Sequence, residues 1–145
     1  IGMALAGKIK EKDYKCFVLL SDGECNEGSI WESALFASAN NLDNIICLID
    51  FNKWQATGRS KDVLALDPLA DKWKSFGWDV YEINGHNFDQ IKKSLNSAKK
   101  TDKPSAIIAN TIKGKGISFM EDNNNWHYKT PSDEEYLEAM KELGN

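Results

Sequence analysis

Two apolar runs, CFVLL at 16–20 and IICLI at 45–49, constrain this chain more than any other feature. Five residues is far short of the roughly 20 needed to cross a bilayer as a helix. Neither run shows the apolar–polar alternation of a half-exposed strand, so both are expected to be strands covered on two faces, the habit of parallel sheets. WDVYEI at 78–83 and SAIIANT at 105–111 supply two more strands. Helical patterns lie before, between and after them: 1–12, 29–41, 68–76, 88–100 and 133–143. Strands alternating with helices of this length predict an α/β fold, a three-layer αβα arrangement with a mostly parallel sheet.

The boundaries carry local signals. Ser29 with Glu32 and Ser132 with Glu135 read as capping boxes, in which side chains satisfy the free backbone donors of a helix start. Asp67 before Pro68 reads as an N-cap and first-turn pair, and Asn87 as another N-cap. The opening helix places Ile1, Ala4, Leu5 and Ile9 on one face. It lacks an initiator methionine, so the chain is expected to be a piece of something longer, a single partial domain over 1–145. Residues 51–66 and EDNNNWHYKTP at 121–131 are too polar and irregular for regular elements and are expected to be loops. Trp31, Trp73 and Trp78 are expected to be packing groups.

Composition narrows the partners. At 41% hydrophobic and 28% charged, with net charge −4 and no basic run, the chain is expected to bind neither nucleic acid nor membrane. Three cysteines, Cys16, Cys25 and Cys47, fit no zinc spacing and no disulfide framework; reduced thiols in a cytoplasmic protein are the expectation.

The chemistry concentrates at SDGECNEGSIWE, 21–32. In open parallel sheets ligands bind beyond the carboxyl ends of the strands. Asp22 stands just past the first strand and Asn52, thirty residues on, just past the second. If the strands are neighbours, a carboxylate and an amide oxygen converge at one rim, a donor pair for Mg2+ or Ca2+ rather than zinc. Magnesium held by so few protein groups completes its shell with phosphate oxygens and water. Gly23 admits close backbone approach, and the following helix offers free amides to an anion. The residues by themselves therefore suggest a metal-bridged diphosphate site, with ordinary Asp-Gly and Asn turns as the plain alternative.

SDGECNEGSIWESALFASANNLDNIICLIDFNKWQATG, with INGH, IKGKG and NNWH following in order, closely resembles the thiamine diphosphate signature of transketolases. That motif begins Gly-Asp-Gly and closes on an asparagine about thirty residues later; its first glycine is Ser21 here. The resemblance implies the thiamine-diphosphate-binding fold and a ketol-transferring enzyme of sugar phosphates. It implies that Asp22, Asn52 and the backbone carbonyl of Trp54 ligate the cation, and that Gly23 faces the diphosphate. By the same resemblance Lys113 approaches the cofactor, and His127 lies near cofactor and substrate for proton shuttling or hydrogen bonding. Glu27 and Glu32 match acids near the subunit interface, while His86 is expected to be a structural turn residue. The family's glycine after the histidine is Tyr128 here. The family's catalytic glutamate belongs to a pyrimidine-binding domain that nothing here resembles. The resemblance thus implies half a site, completed by such a domain or a C-terminal subunit in a homodimer or heterotetramer.

Two other readings stay open. The 2-oxoacid dehydrogenase alpha subunits and 1-deoxyxylulose-phosphate synthases share the Asp-Gly…Asn signature, though KGKG followed by WH favours transketolase. A non-catalytic assembly module could keep the fold. A generic nucleotide-binding domain is disfavoured by the absence of a phosphate loop and of a Gly-x-Gly-x-x-Gly turn.

Overall fold

The apolar runs do form neighbouring strands. In the computed structural model, which describes residues 1–144, the elements are, in chain order, α1 (Gly2–Ile9), β1 (Cys16–Ser21), α2 (Gly28–Ala39), β2 (Ile45–Phe51), β3 (Trp54–Gln55), β4 (Gly58–Arg59), α3 (Ser60–Leu64), α4 (Leu69–Ser75), β5 (Asp79–Asn84), α5 (Phe88–Ala98), β6 (Ser105–Asn110) and α6 (Asp133–Glu142). Single 3-10 turns cover Gly23–Asn26 and Asn124–His127. Four strands make one parallel sheet in the order β1–β2–β6–β5.

Helices lie on both faces, as predicted. On one side α1, α2 and α4 bury Ala4, Ala34, Ala37, Leu69 and Trp73 against Leu20, Ile45, Cys47, Ile49, Ala106 and Ile108. On the other, α5 sets Leu95 and Ala98 over Ile46, Ile107, Tyr81 and Ile83. This helix lies over β5 and β6 and leaves β1 bare. Phe17 and Leu19, in register with Ile46 and Leu48, are 51% and 73% exposed. Among the described residues, the expectation of two covered faces holds for β2 and fails for β1, the edge strand of the sheet, since α5 packs on β5 and β6.

Trp31, Trp73 and Trp78 are packing groups: their rings meet at centroid distances of 5.3 and 4.8 Å between α2, α4 and the start of β5. The indole N–H groups of Trp31 and Trp78 donate to the carbonyls of Cys25 and Ala34. The three cysteines are free thiols.

Several boundary expectations need correction. Ile9 turns to solvent at 73% exposure, since α1 ends there and its last turn overhangs the core. The capping box at Ser132 and Glu135 forms, but the one at Ser29 and Glu32 does not. The 3-10 turn delivers the chain early, so Glu27 becomes the N-cap of α2 and Ser29 falls inside the first turn. Pro68, not Asp67, is the N-cap of α4. The supposed loop at 51–66 contains the β3–β4 hairpin and α3, and the polar stretch at 121–131 contains the second 3-10 turn.

Candidate functional site

The parallel register sets the site. Ser21 pairs with Asp50, so β1 and β2 end side by side and release Asp22 and Asn52 at the same edge of the sheet. Asp22 does not stand at an exposed rim, however. Its residue is wholly buried beneath the edge. The chain after β2 reverses through Lys53 (φ +68°) and folds back, the amide of Ser60 donating to the Lys53 carbonyl. This places the Ser60 hydroxyl 2.7 Å from Asp22 Oδ2, while the Gly23 amide donates to Oδ1 at 3.0 Å. Both donors are neutral, and none of the ion pairs among the described residues involves Asp22. Burial consequently pushes its carboxyl above the ordinary aspartate value. The Ser60 hydrogen bond and the Gly23 and Lys53 amides only partly offset this, and the Asp50 charge adds to it.

Asn52 is oriented by its neighbours. Its Oδ1 accepts from the Trp54 amide at 2.9 Å, and its Nδ2 approaches Asp50 Oδ2 at 3.5 Å. Asp50 in turn accepts from the Thr111 hydroxyl. An amide oxygen so held keeps a second lone pair for another partner.

Above this floor lies a cleft of about 390 Å³ lined by Ser21, Gly23, Glu24, Glu27, Asn52, Trp54, Gln55, Ala56, Lys113 and His127. Lys113 arrives from the turn after β6. That turn is pinned by His86, whose Nε2 accepts from the Ile112 amide at 2.8 Å, so His86 is the structural turn residue expected of it. It is tightened at Gly114 (φ +71°), where a Cβ would lie 2.5 Å from the Met120 carbonyl oxygen. The Lys113 ammonium has no carboxylate partner among the described residues. His127 closes the 3-10 turn at the far wall, exposed, with its ring edge-on to Tyr128 at 4.7 Å. Gly23 faces the opening: a Cβ there would meet only Gln55, at 3.5 Å, so no clash within the chain requires a glycine. Five predicted residues, Gly23, Asn52, Trp54, Lys113 and His127, thus line one space, with Asp22 under its floor. Glu27 lines it too, whereas Glu32 is exposed one turn into α2.

No cluster of three or more His, Cys, Asp or Glu side chains among the described residues is arranged to hold a metal. A cation here would need the mixed donors already named, one buried carboxylate with amide and carbonyl oxygens. A desolvated carboxylate that lacks a basic partner fits that requirement.

Residues 6–145 match the family model described as transketolase, thiamine diphosphate binding domain. The chain belongs to that family. Over 144 residues it is 42% identical to one subunit of an apulose-4-phosphate transketolase from Phocaeicola vulgatus, covering 99% of this chain and 51% of that protein. It is equally 42% identical, over 144 residues, to one subunit of a 6-deoxy-6-sulfo-D-fructose transketolase from a Clostridium species, covering 99% and 52%. The crystal structure of the Campylobacter jejuni transketolase superposes with a TM-score of 0.93 at 30% identity, over 99% of this chain and 24% of that one. The chain spans about half the length of these curated relatives. The family membership expected from the motifs and the three-layer fold expected from the alternating strands and helices are therefore established, and no helix among the described residues is long and apolar enough to cross a membrane.

Sequence reasoning missed Ser60, which holds Asp22, and the pair Arg59 and Asp122. ATG at 56–58 is a turn signal that could have exposed the hairpin and, with it, the return of Ser60. Nothing in sequence links residue 59 to residue 122.

Proposed function

We propose that this chain supplies the diphosphate- and cation-binding half of a transketolase site, and that the site is completed by a pyrimidine-binding domain on another segment or subunit. The observation that carries the proposal is the buried Asp22 carboxylate, without a basic partner, under a cleft that gathers Gly23, Asn52, Trp54, Lys113 and His127. In this reading Asp22, Asn52 and the Trp54 carbonyl hold Mg2+ or Ca2+. The cation offsets the charge that burial penalises at Asp22. Gly23 lets the backbone meet a diphosphate closely, and Lys113 supplies a point charge to it. His127, exposed on the far wall, hydrogen-bonds a substrate hydroxyl and holds or moves its proton.

When bound, thiamine diphosphate supplies the carbanion chemistry by which a two-carbon ketol unit passes between sugar phosphates. The residues of this chain orient it and balance its charge. Two of the relatives carry names of transketolase subunits, which supports a partner subunit for this chain as well, in a homodimer or heterotetramer of the cytoplasm.

Calorimetric titration of thiamine diphosphate with Mg2+ tests this, using the chain alone and mixed with a candidate pyrimidine-domain partner. Binding is expected in the mixture, weak or no binding in the chain alone, and none in a mixture carrying Asp22→Asn. Tight stoichiometric binding to the chain alone would refute the half-site reading.

A further inference from the structure

We infer that Asp122 is a positioning residue that straps together the three segments carrying Trp54, Lys113 and His127. Its side chain reaches the hairpin: Oδ1 accepts from the Trp54 indole N–H at 2.8 Å and from Arg59 Nη1 at 2.7 Å, and Oδ2 accepts from Arg59 Nη2. Its amide donates to the Lys113 carbonyl at 2.9 Å. Five residues further along the chain stands His127. A second link runs beside the first, the Asn124 side-chain Nδ2 donating to the carbonyls of Gln55 and Ala56 at 3.0 and 3.2 Å.

An exposed ion pair alone would contribute little, because solvent screens it and two long side chains must be immobilised. This carboxylate does more than pair. It receives the guanidinium as a two-pronged fork, a geometry that fixes direction as well as distance. The same guanidinium lies 3.7 Å over the Trp54 ring, so the indole is held by its edge and by its face. Asn52 meanwhile fixes the Trp54 amide from the other side. Trp54 is thus gripped at backbone and ring, which sets the direction of its carbonyl. Asp122 adopts φ +55°, an uncommon conformation for a residue with a Cβ, and the surrounding bonds hold it there.

The strap itself stands on this geometry. Its consequence for cofactor binding rests on the proposed diphosphate site. Amide hydrogen exchange on the full-length protein, assembled with the partner that completes the site, separates the two. Arg59→Leu is expected to speed exchange at 122–127 roughly tenfold, and Asp122→Asn to do the same at 54–60, with β2 and β6 unchanged as an internal check on folding. Arg59→Leu with Asp122→Asn should loosen both segments no more than either change alone. Each variant loosening only its own segment would overturn the inference. The affinity for thiamine diphosphate with Mg2+ should weaken about tenfold in each single variant and no further in the double. Arg59→Lys, which keeps the charge without the fork, should fall between wild type and Arg59→Leu. Multiplying losses in the double variant would mean independent contacts and would overturn the coupling. A wild-type protein that binds no thiamine diphosphate would end the site proposal, and the exchange data would still decide the strap.

Discussion

The tryptophan layer and the floor of the cleft are both buried, and burial acts on them in opposite senses. Trp31, Trp73 and Trp78 give up apolar surface, which stabilises the fold, and two of the three indole N–H groups find carbonyls. Asp22, just beyond Leu20, gives up hydration of a charge and receives only a hydroxyl and amides in return. Cys25 lies between the two regions and shows the same field acting on a group that can stay neutral. Burial, with the Asp22 and Glu24 charges adding to it, pushes its thiol up to about 12. A thiol bears this without loss, but a carboxylate does not. One region holds the domain together, and the other keeps a charge in a place where the fold gains nothing from it.

That contrast breaks most sharply at Trp73, 2% exposed and in contact with both other tryptophans. Trp73→Ala should cost about 3–5 kcal/mol, the transfer term plus a cavity that two neighbouring rings cannot collapse to fill. Denaturant unfolding reads the loss directly. A cost under about 1 kcal/mol would show that the layer is not the support described here.

Asp22→Asn should act in the opposite direction. Asparagine keeps acceptor and shape but removes the charge, so the metal-free protein should gain on the order of 1–2 kcal/mol at pH 8. The sign with pH follows from the raised carboxyl of wild type. Between the ordinary aspartate value and the raised one the native state binds more protons than the unfolded chain, so wild-type stability falls as pH rises through that window. The advantage of the variant should be full above the window and vanish below about pH 4. Adding Mg2+ and thiamine diphosphate to the assembled protein should reverse the ranking, because only wild type gains binding energy. Thermal melts at pH 4 and pH 8 check the first part. A variant less stable than wild type at pH 8 without metal would mean that the carboxylate is well compensated after all.

The same contrast explains what was legible in the sequence. Apolar period and helix spacing are local, and they located every strand of the main sheet and most of the helices. The convergence of Asp22 and Asn52 required that β1 and β2 be parallel neighbours; the apolar runs implied parallel strands, and their adjacency is a finding of the fold. Burial of Asp22 was not legible, because the residue that covers it, Ser60, returns through a hairpin inside a stretch that looks irregular. Exposure of Phe17 and Leu19 among the described residues was hidden for a related reason: an apolar run reports what a strand could bury, and the path of α5 over β5 and β6 is not written in it. Asp122 offered no local pattern at all. Its side-chain partners are 63 and 68 residues away.

The motif Ser-x-x-Glu shows the limit within one chain, and supplies the finest comparison. It occurs at 21–24, 29–32, 118–121 and 132–135, and at 118–121 no cap forms, since the Ser118 hydroxyl donates to Glu142 while Glu121 accepts from Lys115 and the Gly116 amide. At 132 the reciprocal bonds form, Glu135 N donating to the Ser132 hydroxyl and Ser132 N to the Glu135 carboxylate. At 21 they form again, around the 3-10 turn that carries Gly23: Glu24 N donates to the Ser21 hydroxyl at 3.2 Å and Ser21 N to Glu24 Oε2 at 2.7 Å. At 29 they do not, because Glu27 has already capped α2 from extended backbone. The spacing offers a cap, and the incoming chain decides whether it is taken. Ser132→Ala should therefore cost about 1 kcal/mol, and Ser29→Ala no more than about 0.5 kcal/mol, the scale of an ordinary change within a helix. Paired unfolding curves read the difference, and equal losses would show that Ser29 caps α2 in solution.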